Sequence, residues 1–188
     1  ANDNLTGKRV TTSDYASASY YYVNKSSLPK VYGGFNTSLS WKGFDLSAIF
    51  AYSIGGYIYN RDITMILHNG SLEGRDWSTE ILKRWTPENR YTDVPALSTT
   101  SNNWNSASTR FLQNNSYMRL KNLTLSYDLP KQWISKLALS SVQVFVQGDN
   151  LFTIHRNQGL DPEQGITGIT YYRYPAMRTI SGGINVSF

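Results

Sequence analysis

The residues best suited to chemistry are few and scattered along this chain. Its two histidines, His68 and His155, stand far apart in stretches that read as loops. A metal site needs several ligands converging on one point, so both are expected to be solvated, and no metal or other cofactor is implied. Asp161-Pro162-Glu163 places two carboxylates between Gly159 and Gly165. Such a pair can serve general acid–base or calcium chemistry, but the expected role is loop architecture. Serine is abundant, yet there is no Gly-x-Ser-x-Gly elbow and no base paired with a serine. Cysteine is absent, which excludes disulfides, cysteine-ligated zinc and thiol nucleophiles. Matches to Asn-x-Ser/Thr such as Asn36-Thr37-Ser38 carry little weight where strands alternate polar residues. No catalytic constellation emerges, and the chain is not expected to be an enzyme.

What the chain has in quantity is aromatic surface. Aromatics make up 14% of its 188 residues, led by 14 Tyr and 5 Trp. That load suits a membrane-interface belt or a sugar-binding surface better than an average core. Trp77, Trp85, Trp104, Tyr171 and Tyr172 fall in predicted loops and stand as candidate ligand contacts. The net charge of +5 is spread over Lys8–Arg9, Lys30, Lys83–Arg84, Arg119 and Lys121, among others. No basic run interleaves with stacking aromatics, which argues against a nucleic-acid partner.

The elements that must position these loops carry a period of two, the signature of strands with two unlike faces. Phe35, Leu39 and Trp41 alternate with Asn36, Ser38 and Ser40. Phe44, Leu46, Ala48, Phe50 and Tyr52 alternate with Asp45, Ser47 and Ser53. Leu123, Leu125, Tyr127 and Leu129 oppose Asn122, Thr124, Ser126 and Asp128. Val142, Val144 and Val146 oppose Gln143, Gln147 and Asp149, with Phe145 as a misfit. Ile180, Ile184, Val186 and Phe188 oppose Thr179, Ser181, Asn185 and Ser187. Strands are predicted near 31–41, 43–54, 117–129, 141–152 and 177–188, each about as long as the roughly 9–11 residues of a tilted membrane-crossing strand. No window approaches the roughly 18 consecutive apolar residues of a membrane-crossing helix. The mean hydropathy of −0.42 does not exclude a membrane barrel, because lipid-facing residues are averaged with polar ones.

The connections alternate short and long. Lys42–Gly43 is a tight hairpin, the link from Pro130 to Leu139 is short, and 55–116 and 153–176 are long loops. Tight turns on one side and large loops on the other are the pattern of an outer-membrane barrel, whereas a soluble sandwich spaces its strands more evenly. If the last strand runs towards the periplasm, Trp41, Phe44, Tyr127, Trp133 and Phe188 share the periplasmic interface as an aromatic girdle. Within the first long loop, Ser78–Trp85 reads as a short helix capped by Asp76 or Ser78, with Glu80 in its first turn, Lys83 and Arg84 in its last, and Pro87 beyond. Residues 98–108 read as an exposed loop. The N-terminal Ala-Asn-Asp-Asn-Leu is not a signal peptide, and the chain is expected to start within a longer protein, with 1–30 as an upstream strand or loop.

Several segments, in order, resemble one family. They are Pro29-Lys-Val-Tyr-Gly-Gly-Phe35, Trp41-Lys-Gly-Phe-Asp-Leu-Ser47, Ser116-Tyr-Met-Arg-Leu-Lys-Asn-Leu-Thr-Leu-Ser-Tyr127 with Leu129–Pro130, and Gly148-Asp-Asn-Leu-Phe-Thr153. Gly159-Leu-Asp-Pro-Glu163 and Tyr174-Pro-Ala-Met-Arg-Thr179 complete the series. Over about Pro29 to Phe188 the chain is similar to the C-terminal part of the β-barrel in SusC/RagA-like TonB-dependent outer-membrane transporters. The resemblance implies an all-β fold, the antiparallel C-terminal strands of a transmembrane barrel of about 22 strands, with long extracellular loops and one short loop helix. It also implies import of glycans or peptides with a SusD-like surface lipoprotein, TonB acting through the plug of the complete protein, and residence in the outer-membrane lipid. Phe188, Val186 and Ile184 resemble the terminal signal read by the barrel-assembly machinery. Five strands cannot close a barrel without open edges in lipid, so the chain is expected to be one portion of a larger one. A secreted all-β carbohydrate-binding module is the alternative from the aromatics and short strands alone.

Overall fold

The computed structural model describes residues 14–70, 72, 74–98, 100, 103–135, 139–159, 161–163 and 165–188. The start of the upstream segment, residues 1–13, lies outside the described residues. The strands are β1 (Pro29–Trp41), β2 (Phe44–Gly55), β3 (Tyr57–Asn60), β4 (Leu112–Asn114), β5 (Tyr117–Asp128), β6 (Ser141–His155), β7 (Ile169–Thr170) and β8 (Thr179–Ser187). Helices α1 (Arg61–Ile66) and α2 (Lys131–Ile134) follow β3 and β5. Contacts divide the chain into two bodies: residues 26–57, 113–167 and 173–188 form one, and residues up to 25, 58–112 and 168–172 the other.

The first body is an antiparallel sheet in the order β1-β2-β5-β6-β8. Lys42 and Gly43, which join β1 to β2, both have positive φ, 49° and 87°. That pair of left-handed residues matches the right-handed twist of the flanking strands and locks the register. A Cβ on Gly43 would also meet the Asp128 carbonyl oxygen at 3.2 Å. The register aligns the alternating apolar residues into rows that cross the sheet. Trp41, Phe44, Tyr127, Val144 and Ile184 form one row, and Leu39, Leu46, Leu125, Val146 and Gly182 the next. Thr37, Ala48, Leu123, Gly148 and Ile180 follow, then Phe35, Phe50, Leu120 and Phe152. Gly33, Tyr52, Met118 and Ile154 come next, and Val31 with Ile54 last. Rings stack along these rows: Phe35 on Phe50 at 4.7 Å, and Phe44 on Tyr127 at 4.4 Å.

The opposite face is polar and bonded from strand to strand. Asn122 donates to Asp149 (2.7 Å), Thr124 to Asn122 (2.9 Å), Gln143 to Asp128 (2.9 Å) and Asn185 to Gln143 (3.2 Å). Ser40 bonds Asp45 on the same face. Phe145, the misfit in the alternation, lies on this side between Ser126 and Gly183. Its ring occupies the space a side chain at position 183 would need, 2.9 Å from an ideal Cβ.

The second body has a small core of Leu67, Ile81 and Val94 with Ile63 packed against it. β3 and β7 pair in parallel through Tyr59–Ile169 and Asn60–Thr170, and Asn60 caps α1 by accepting from the Ile63 amide at 3.1 Å.

Three expectations need correction. The single loop helix over Ser78–Trp85 is instead a 3-10 turn, Thr79–Lys83, with Ser78 as its cap. The Arg84 amide bonds Ile81 (3.0 Å) and the Trp85 amide turns to Val94 (2.8 Å), so an α-helical ladder has no room to propagate. Helices α1 and α2 were not anticipated, because six and four residues are too short for a 3.6-residue period to stand out. Finally, β6 runs to His155 rather than ending near 152. A bulge at Asn150, which has φ 53°, takes up two residues and lets pairing resume beyond it.

Candidate functional site

The sheet carries one built polar cluster, and a register shift positions it. Leu120 pairs with Phe50 while Asn122 pairs with Ile49, so Lys121 is an extra residue in β5. Side chains alternate strictly along a strand, so one inserted residue exchanges the faces beyond it. Counting back by twos from Leu123 would put Lys121, Arg119 and Tyr117 on the apolar face. The bulge turns Arg119 and Tyr117 to the polar face and brings Leu120 and Met118 into the apolar rows.

Arg119, thus turned, is only 3% exposed. Its guanidinium holds Asp161 at 2.5 Å, Glu163 at 2.7 Å and the Thr153 hydroxyl at 2.9 Å. Lys121 reaches Glu163 at 2.6 Å. Asp161 also accepts from the Ala176 amide at 2.6 Å and the Glu163 amide at 2.9 Å. Burial by itself would raise the Asp161 carboxyl, but the Ala176 amide, the Arg119 guanidinium and the Glu163 amide outweigh it and hold the carboxyl below its ordinary value. Every strong group in the cluster is bonded to another, so it pins the loop after β6 to β5. No group of three or more metal-ligating side chains occurs among the described residues.

The loop body gathers aromatics around arginine. Tyr171 and Tyr172 pack at 4.1 Å between ring centres, and Arg61 lies 4.4 Å over the Tyr171 ring. Arg75 Nη1 donates to the Tyr172 hydroxyl at 3.4 Å, and Asp62 accepts from the Tyr172 amide at 3.0 Å. His68 is 2% exposed and lies under Trp77, whose indole Nε1 donates to His68 Nδ1 at 3.1 Å. His68, Trp77, Arg75, Asn69, Ser98 and Thr100 are among the residues lining a cavity of about 640 Å³.

Of the aromatics singled out from sequence, Tyr171 and Tyr172 are brought together, and Arg75 bonds Tyr172 while lining the Trp77 cavity. Trp85 is exposed and does not line that cavity. Trp104 belongs to the turn Asn103–Asn105, and its side chain lies outside the described residues. His68 is buried, contrary to expectation, because it packs against Trp77 and takes its N–H bond. His155 is exposed but ends β6 rather than standing in a loop. Ile184 sits in the Trp41–Phe44–Tyr127 row opposite Val144, Val186 pairs with Val142 one step beyond the six rows, and Phe188 is exposed just past β8. Sequence reasoning missed Arg119, Arg61 and Arg75. For Arg119 a signal existed: the spacing of Met118, Leu120, Leu123 and Leu125 breaks from two to three at the bulge.

The chain is 33% identical over 166 residues to TonB-dependent receptor P3 of Formosa agariphila, covering 82% of this chain and 16% of that receptor. It is 27% identical over 168 residues to TonB-dependent receptor SusC of Bacteroides thetaiotaomicron, covering 89% and 16%. Its structure matches the RagAB peptide importer in the closed-closed state with a TM-score of 0.83 and 34% identity, over 100% of this chain and 20% of that one. No protein-family model matches it. The chain thus spans 16–20% of the length of these relatives. With its strands matching those of the RagAB importer and its sequence matching receptor P3, the chain belongs to the SusC/RagA-like TonB-dependent transporters, as a stretch of their β-barrel.

Proposed function

We propose that this chain is the C-terminal section of barrel wall in an outer-membrane importer that takes up peptides or glycans, with TonB acting through a plug elsewhere in the complete protein. The observation that carries the reading is the depth of the apolar face. Six rows are separated by two residues each, about 6.6 Å along a strand. At a tilt of about 40° each step is about 5 Å of depth, and the six rows span about 25 Å, the height of an outer-membrane apolar band. Large side chains on that face, including Leu39, Trp41, Leu125, Ile154 and Ile184, are exposed, as lipid contact requires.

The polar face, bonded across strands, is suited to a wet lumen or a plug. The likeness to the RagAB importer supports peptides as cargo, and the likeness to SusC supports a surface lipoprotein of the SusD type as partner. Ile184, Val186 and Phe188 are offered as contacts for the barrel-assembly machinery. The loop aromatics Trp77, Trp85, Trp104, Tyr171 and Tyr172 are offered as ligand contacts.

Fractionation of cells making the complete protein tests the proposal. It should sediment with outer membranes, leave them only in detergent, and lose cargo uptake when TonB is deleted. A detergent-free monomer would overturn it in favour of a secreted carbohydrate-binding module.

A further inference from the structure

We infer that the loop body holds a subsite for a sugar ring bearing a carboxylate in the cavity lined by Trp77 and Arg75, with Trp77 braced by His68 and Arg75 held from outside the cavity lining by Tyr172. The inference rests on the importer reading, which puts this body on the substrate side, and it narrows the cargo to acidic glycans.

Four observations converge on it. First, Trp77 is 47% exposed yet held: its N–H is bonded to His68 and its ring lies 5.2 Å from the imidazole. An indole fixed in this way is a preorganised stacking platform, since little rotamer entropy is left to lose on binding. Second, His68 Nδ1 accepts from both Trp77 and the Gly70 amide (3.3 Å). The ring proton therefore sits on Nε2, which has no partner among the described residues. An orphaned buried donor is costly and needs an account beyond folding; fixing the indole supplies one.

Third, neither Arg61 nor Arg75 makes an ion pair among the described residues, although both lie against the tyrosines. A guanidinium beside ring faces is suited to a carboxylate carried on a ring. Fourth, Tyr172 has φ 50°, in the left-handed region, and is held there by Asp62. Strain of this kind in a non-glycine residue clusters at ligand clamps.

The cavity lies within the usual ligand range of about 300–1,000 Å³, and its wall carries the Ser98 and Thr100 hydroxyls 3.2 Å apart. A peptide would be read largely through its main chain. Here the main chain at the wall is already engaged, Ser98 N with Asn69 O at 3.0 Å and Gly70 N with His68.

The complete transporter in detergent is titrated, following tryptophan fluorescence, with hexamers of galacturonate, glucuronate and mannuronate. Their fully methyl-esterified forms and hexaglutamate are titrated alongside. At least one acidic hexamer should bind, with its ester at least about tenfold weaker, the scale of one charge-assisted hydrogen bond. Arg75→Ala should weaken the acid about tenfold and leave the ester unchanged, Arg75→Lys should recover part of the loss, and Trp77→Ala should weaken both. The site is overturned if no acidic hexamer binds, if hexaglutamate binds tighter, or if Arg75→Ala and Trp77→Ala leave affinity intact. Because both residues are exposed, the variants should reach the outer membrane as wild type does. Unchanged binding in such variants sinks the subsite alone, whereas absence of the wild type from the outer membrane sinks the importer reading as well.

Discussion

Leu123→Arg in the complete barrel should cost about 2–4 kcal/mol, and Thr124→Arg, its neighbour on the strand, no more than about 1 kcal/mol. Leu123 sits two rows in from the Trp41–Phe44–Tyr127 row. At about 5 Å of depth per row it lies about 10 Å inside that girdle, close to the middle of a band about 25 Å tall. An arginine there meets hydrocarbon at nearly its greatest distance from water. Thr124 points the other way and gives up one hydrogen bond, to Asn122 at 2.9 Å. Leu125, one row nearer the girdle, should cost less than Leu123 when replaced in the same way. The measurement is urea unfolding of the barrel from lipid vesicles, followed by tryptophan fluorescence and by heat-dependent migration on gels. Equal costs at 123 and 124 would refute the facing assignment, and with it the lipid contact on which the importer proposal stands.

Three further outcomes follow from the sheet. Deleting Lys121 should remove the bulge and leave Arg119 and Tyr117 on the polar face, because Leu120 then adjoins Asn122 in unbroken alternation, so the barrel should still assemble; quantifying the heat-modifiable barrel in membranes checks this, and loss of assembly would show that Lys121 is not the extra residue in the strand. Arg119→Met should leave Asp161 buried without its cation, a loss of about 3–5 kcal/mol felt in the loop after β6, read as faster amide exchange there. Because Asp161 has a depressed carboxyl pKa, its contribution is present above the ordinary carboxylate value of about 3.9 and lost as pH falls through the lower folded value. Protection of that loop, taken relative to the intrinsic exchange rate at each pH, should therefore be flat from about pH 8 to 5 and fall only under stronger acid. Gly183→Val should destabilise the sheet by about 1–3 kcal/mol by crowding Phe145, and Phe145→Ala should relieve most of that loss in a double-mutant cycle.

Much of the sheet was legible in the residue order. A strand exposes opposite faces to opposite environments, so Phe44-Asp-Leu-Ser-Ala48 and Leu123-Thr-Leu-Ser-Tyr127 announce both the strand and its two solvents. Lys42–Gly43 announces its own hairpin. Those signals are local: each needs only the neighbours two residues away.

The clusters were not legible, because they join residues that chain order keeps apart. Arg119 finds Asp161 and Glu163 some forty residues on, and Arg75 finds Tyr172 at a separation of 97. His68 is buried only because Trp77 folds over it. Loops have no period, so nothing in their composition says which side chains will meet, and whether the strand bulges at Lys121 or alternates through it decides which face an arginine takes. Alternation along each strand was written in the order of the residues, while the pairing of charges and rings waited on tertiary folding, since only pairing register and loop closure bring such distant groups within bonding distance.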